Sequence, residues 1–145
     1  MTIESSPDRK RVLFICTHNS ARSQMAEGWL RHLYGDRYEA YSAGTEATGV
    51  RPLAVQAMAE AGVDIAGQES KTLERYLQQP WDYVITVCDQ ANEACPVFPG
   101  GKVRLHWSFP DPSQASGTLE EQLATYRDVR DAIGNRVERF VATGL

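Results

Sequence analysis

RVLFICTHNSARS, residues 11–23, runs an apolar segment into a polar loop and then into the start of a helix. Arg11 to Ile15 is short, apolar and partly β-branched, as a buried strand requires. Beyond the break at Cys16–Arg22, Met25, Trp29, Leu30 and Leu33 form a stripe at helical spacing, and Gly35 ends it. The same alternation continues along the chain. Strands are predicted at 37–43, 81–87 and 103–107, and helices at 52–61, 72–77 and 118–140. Pro52 suits a first helical turn, and Thr118 with Glu121 matches a capping box. The pattern predicts one α/β domain, a three-layer α/β/α arrangement around a central four-stranded parallel sheet with helices on both faces. Ligands of such sheets bind outside the carboxyl ends of the strands, near the topological switch point. Loops leave predicted strands there at Cys16, Cys88 and Ser108, and together they carry all three cysteines and Asp111.

A length of 145 residues suits one domain, and 42% hydrophobic with 23% charged residues is ordinary for a globular protein. Fifteen basic against nineteen acidic side chains give a net charge of −4, which argues against a general nucleic-acid binder. No apolar run approaches the ~20 residues of a membrane span, and the polar start MTIESSPDRK is unlike a secretory signal. The expected setting is therefore cytoplasmic and the default state a monomer. Residues 1–10 are expected to be a disordered tail and residues 11–145 the domain. Three cysteines are an odd number, so a closed disulfide framework is excluded.

A loop running into a helix start aims free backbone N–H groups at one point, with the helix dipole behind them. Thr17, His18, Asn19, Ser20, Ala21 and Arg22 are thus candidates for binding a tetrahedral oxyanion. Arg22 adds a planar fork of donors. The same positive field favours a thiolate at Cys16, the candidate nucleophile, and Ser23 can hydrogen-bond to it. Asn19 tolerates a left-handed backbone and can hold the loop's curvature. The side chains of His18, His32 and His106 have no evident sequence partner and read as surface or strand histidines.

Phe109-Pro110-Asp111-Pro112 sets a carboxylate between two prolines, which limit its orientations. A positioned acid lets a departing oxygen leave as water. Cys88 and Cys95 lie seven apart on a stretch with two prolines and two glycines between 88 and 101. Zinc ligands are usually closer in sequence, and no second Cys or His pair exists, so no metal is expected there. What remains is either two inert thiols or a relay in which one attacking thiol and two others pass a disulfide onward.

CTHNSARS at 16–23, VCD at 87–89, Cys95 with Pro96, and FPDP at 109–112 resemble the low-molecular-weight protein tyrosine phosphatase superfamily. Within it they look like the thioredoxin-coupled arsenate reductases, over Val12 to about Val141. The cysteine intervals, 72 (16 to 88) and 7 (88 to 95), match that class. The resemblance implies that arsenate binds the loop amides and Arg22, Cys16 attacks arsenic, and Asp111 protonates the departing oxygen. Cys88 would then form a disulfide with Cys16 and release arsenite, and Cys95 would take over Cys88. Thioredoxin, or a glutaredoxin with a low-molecular-weight thiol, would reduce the Cys88–Cys95 pair. The implied role is arsenic detoxification, with no cofactor.

Some relatives bind potassium through Asn, Glu, Ser and Asp side chains. Asn19, Glu27 and Ser42 could supply part of that set, but Glu69-Ser70-Lys71 stands where the Asp is expected, so no ion is expected. Two other readings share the Cys16 loop: a phosphatase working through a Cys16 phosphocysteine, and a non-enzymatic sensor holding arsenic or an oxyanion.

Overall fold

The computed structural model describes residues 9–89 and 93–145. Four strands, β1 (Lys10–Cys16), β2 (Tyr38–Gly44), β3 (Tyr83–Thr86) and β4 (Val103–His106), form one sheet in the order β2-β1-β3-β4. Every pairing is parallel. The helices are α1 (Arg22–Tyr34), α2 (Pro52–Glu60) and α3 (Leu119–Thr143). Two 3-10 turns, Leu73–Tyr76 and Pro112–Gln114, lie on the connections. β1 begins at Lys10, which pairs with Tyr38, so the expected tail boundary at residue 10 is one residue too long. Residues 1–8 lie outside the described residues.

β1 is central and fully buried from Val12 onward, and alternate side chains serve opposite faces. Val12, Phe14 and Cys16 pack with Met25, Ala26 and Leu30 of α1, Ala54, Ala57 and Met58 of α2, and the apolar stripe of α3. That stripe runs Leu123, Tyr126, Val129, Ile133, Val137 and Phe140, all buried. Leu13 and Ile15 face the other way, onto Tyr76, Trp81 and Phe98. The second outer layer is thus a 3-10 turn and loops, because the segment between Thr72 and Pro80 is too short for a full helix. Leu33, the last residue of the stripe read from sequence in α1, is exposed, and so is Leu119 at the start of α3.

Local signals set the helix limits. The Thr118–Glu121 capping box is formed in both directions, and Gly144 closes α3 in the left-handed conformation at φ 78°. Pro52 opens α2, whose last turn runs into Gly62. Among the described residues no helix is long and apolar enough to cross a membrane.

The strand order fixes where a ligand can sit. The chain leaves β1 toward β2 on one side and returns to β3 on the other, so the crevice opens between the ends of β1 and β3. The Val87 amide donates to the Ile15 carbonyl at 2.8 Å, which brings Cys16 and Cys88 to the same sheet edge.

Candidate active site

The loop from Cys16 to Arg22 is held from outside by its carbonyls. Thr17 O accepts from the Glu46 amide at 3.0 Å, His18 O from Thr48 at 3.3 Å and Ser20 O from Arg51 at 2.8 Å. Asn19 O accepts from the Ser70 hydroxyl at 2.9 Å, and Ala21 O from the Met25 amide at 2.8 Å as α1 begins. In a planar trans peptide the C=O and the following N–H point in opposite directions. Five outward carbonyls therefore turn the amides of residues 18 to 22 toward the inner side. The α1 N-terminus adds to this set, since Ala21 provides no side-chain cap and the first turn has no acidic residue. Such an arrangement attracts an anion.

Gly44 lets the loop lie against the end of β2. A Cβ there would come within 2.8 Å of the Asn19 amide nitrogen and of the Cys16 and Thr17 carbonyl oxygens. Asn19 holds the turn itself, at φ 48°, the left-handed angle expected for it. Its Oδ1 accepts from the Lys71 amide at 2.7 Å and from Gln24 Nε2 at 2.9 Å, while its Nδ2 donates to Ser23 Oγ at 2.8 Å. Ser23 Oγ lies 2.8 Å from Cys16 Sγ. Because Asn19 already donates to that oxygen, the Ser23 proton is free to point at the sulfur. Cys16 is a free cysteine, 2% exposed.

Arg22 is buried, and its fork is occupied. Nη1 and Nη2 both donate to the Glu93 carboxylate, the second at 3.0 Å, and Nη1 also reaches Phe109 O at 3.1 Å. Thr17 Oγ1 donates to Glu93 Oε2 and the Asp89 amide to Oε1, each at 2.8 Å. Burial pushes the Glu93 carboxyl up, but the donors from Arg22, Asp89 and Thr17 outweigh it and hold it down at about 2. The Arg22 guanidinium is weakened as a cation by burial, yet Glu93, Cys16 and Asp111 together raise its pKa. Asp111 Oδ2 lies 3.8 Å from Arg22 Nη2, and its Oδ1 accepts from both the amide and the hydroxyl of Ser113, at 2.9 and 2.7 Å. The carboxylate therefore caps the turn Pro112–Gln114 with one oxygen and turns the other toward the arginine. Thr17, Glu93 and Asp111 share the lining of a cavity of about 460 Å³.

Cys88 and Cys95 are joined as a disulfide, with Cα atoms 5.8 Å apart. Cys88 is fully buried and Cys95 half-buried. The structure thus gathers Cys16, Thr17, Arg22, Ser23, Cys88, Cys95 and Asp111 at one sheet edge. The His18 side chain turns outward to Glu46 at 3.2 Å. His106 pairs with Thr86 at 2.6 Å, and His32 is exposed. Glu27 and Ser42 meet at 2.5 Å, but Asn19 faces elsewhere and the Lys71 ammonium stands 3.6 Å from Glu27. Burial lowers the pKa of that lysine.

Sequence reasoning missed Glu93, Gly44, Ser113 and Lys71 as parts of this site. For Ser113 a signal existed, since Asp-Pro-Ser is a typical start to a capped turn. Glu93 gave none, because it lies 71 residues from Arg22 on an irregular loop.

The profile of the low molecular weight phosphotyrosine protein phosphatase family matches residues 11–143. The chain belongs to this family. Among its members the chain is 50% identical to an arsenate reductase of Halalkalibacterium halodurans over 137 residues, 94% of this chain and 99% of that one. It is 47% identical to an arsenate reductase of Bacillus subtilis, with the same coverage. A solved arsenate reductase in the phosphate binding state superposes with a TM-score of 0.77 at 35% identity, covering 92% of this chain and 97% of the other. An arsenate reductase in the oxidized state superposes at 0.76 and 34%, with the same coverage. The fold expected from sequence and the arsenate-reductase class both stand.

Proposed function

We propose that the protein reduces arsenate to arsenite through its three cysteines and is recycled by thioredoxin or a dithiol protein of that class. The observation that carries this reading is a disulfide between Cys88 and Cys95 beside a free Cys16 at the base of an oxyanion loop. Arsenate occupies the inward amides and the Arg22 fork. The Cys16 thiolate attacks arsenic, and an arsenate oxygen departs as water with a proton from Asp111. Cys88 then attacks the Cys16 sulfur. The S–S bond forms, the S–As electron pair stays on arsenic, and arsenic falls from the pentavalent to the trivalent state. Cys95 attacks Cys88, so Cys16 leaves as a thiolate and the observed disulfide results. Its half-buried Cys95 end is the sulfur that an incoming dithiol can reach. The reaction belongs to a reducing, cytoplasmic setting and to a monomer.

A phosphatase would need the Cys16 loop and Asp111 but not the cysteine pair. Cys88→Ser and Cys95→Ser are each expected to abolish multiple-turnover arsenate reduction in a thioredoxin-linked assay that follows nicotinamide oxidation. Slow hydrolysis of an aryl phosphate should survive in both. Undiminished turnover in either variant would remove the relay, and arsenite held without electron consumption would favour the sensor reading. Asp111→Asn should slow a single turnover about 100-fold, as loss of a general acid does.

A further inference from the structure

The Arg22 fork is a seat for two oxygens of an anion, and here an internal carboxylate fills it. Glu93 accepts from both terminal nitrogens of Arg22 and from Thr17, the donors that a tetrahedral oxyanion would use. Glu93 also lies between the two joined cysteines. Its amide donates to Asp89 O at 2.9 Å while its carboxylate takes the Asp89 amide, so Asp89 and Glu93 are bonded to each other twice between the two joined cysteines. We infer that Glu93 is an internal substitute for the oxyanion, which occupies Arg22 when Cys88 and Cys95 are joined and keeps arsenate and phosphate out of the disulfide form.

The inference rests on the thiol relay proposed above, and two physical arguments support it. The first concerns charge. Arg22 is 3% exposed, and once arsenite leaves it would stand as a buried cation with Asp111, at 3.8 Å, and the Cys16 sulfur left near it. A buried charge is strongly unfavourable unless it is closely paired, and Glu93 supplies a carboxylate in direct hydrogen-bond contact. Held down at about 2, the Glu93 carboxyl stays ionised at physiological pH.

The second concerns sequence of events. When the disulfide has moved to Cys88–Cys95, Cys16 is already a free nucleophile again. A second arsenate bound at that moment could be attacked by Cys16 with no thiol left to resolve the adduct. With the seat closed until a reductant opens the loop, the two half-reactions stay in order. Glu93 is thus a positioning residue that acts on the anion seat rather than on arsenic.

The probe is inorganic phosphate, titrated by calorimetry into the full chain with the Cys88–Cys95 pair oxidised and then reduced. Wild type is expected to bind phosphate at least about tenfold more weakly when oxidised, a difference of about 1.4 kcal/mol. Glu93→Gln keeps the side chain's size and removes its charge, so its two redox states should agree within about threefold. Equal affinity in both states of wild type, or a tenfold gap that persists in Glu93→Gln, overturns the inference. If Glu93→Gln does not fold, Glu93→Ala carries the same expectation and the same refutation. Thioredoxin-linked arsenate turnover of wild type separates the two proposals. A redox gap in phosphate affinity without turnover retires the relay alone, and turnover without the gap retires the Glu93 role alone.

Discussion

The two loops that meet at the sheet edge are built in opposite ways. The Cys16 loop is fixed from several directions, by outward carbonyls, by Asn19 and by the close approach of Gly44. The loop from Cys88 to Cys95 contains no helix or strand among its described residues. Its described residues are tied by the disulfide, by the bonds of the Glu93 carboxylate and by the Ala94 carbonyl, which accepts from Thr17 Oγ1 at 3.5 Å. An oxyanion seat gains from rigidity, because donors already in place lose little freedom on binding. A disulfide shuttle needs the reverse, since Cys95 must approach Cys88 and then be released.

The largest effect should come from breaking the rigid side. Gly44→Ala drives a methyl group into the Asn19, Cys16 and Thr17 backbone, so a loss of about 2–3 kcal/mol in urea unfolding and about 100-fold in single-turnover reduction is expected. A normal rate in that variant would mean that the loop is not held in place by its packing on β2. Asn19→Ala strands the Lys71 amide and leaves a strained φ, for about 2–3 kcal/mol of destabilisation. Asn19→Gly relieves the strain and should recover about 1 kcal/mol of this, and identical losses would assign the whole effect to hydrogen bonding.

Smaller effects probe the join between the loops. Ser113→Ala removes the hydroxyl bond to Asp111 Oδ1, leaves the amide bond in place, and should slow the chemical step about three- to tenfold, while phosphate affinity in the reduced form stays unchanged. A change in affinity alone would assign Ser113 to binding. The Glu93 carboxyl is held below its ordinary value, so its contribution to the disulfide form is complete above about pH 4.5 and fades as pH falls through about 2. Wild type should therefore exceed Glu93→Gln in stability by the order of 1 kcal/mol at pH 6, after solvent screening, with the gap closing toward pH 2. A gap that does not change with pH would show that charge is not its source.

Features set by local chemistry were legible in the sequence. The apolar run of β1, the left-handed angle at Asn19 and the Thr118 cap each depend on residues within one or two turns. The position of Asp111 was legible as well, through its flanking prolines, although its Ser113 tether was not singled out. Contacts between distant segments were not legible. Lys71 beside Glu27, Gly44 beneath Asn19 and Glu93 on Arg22 join segments whose spacing carries no period. The segment 72–77, expected as a helix, forms the 3-10 turn Leu73–Tyr76. The aromatic cover of Leu13 and Ile15 by Tyr76, Trp81 and Phe98 comes from irregular backbone, which hydrophobic periodicity does not report.

The outward carbonyls also bear on how such a site can drift and still work. An anion seat made of peptide groups is encoded by chain geometry, so the side chains at His18 and Ser20 are not what defines it. Mutational freedom should concentrate at those two positions. Cys16, Thr17, Asn19, Arg22 and Ser23 would tolerate little change, a contrast that a saturation library of the loop would reveal.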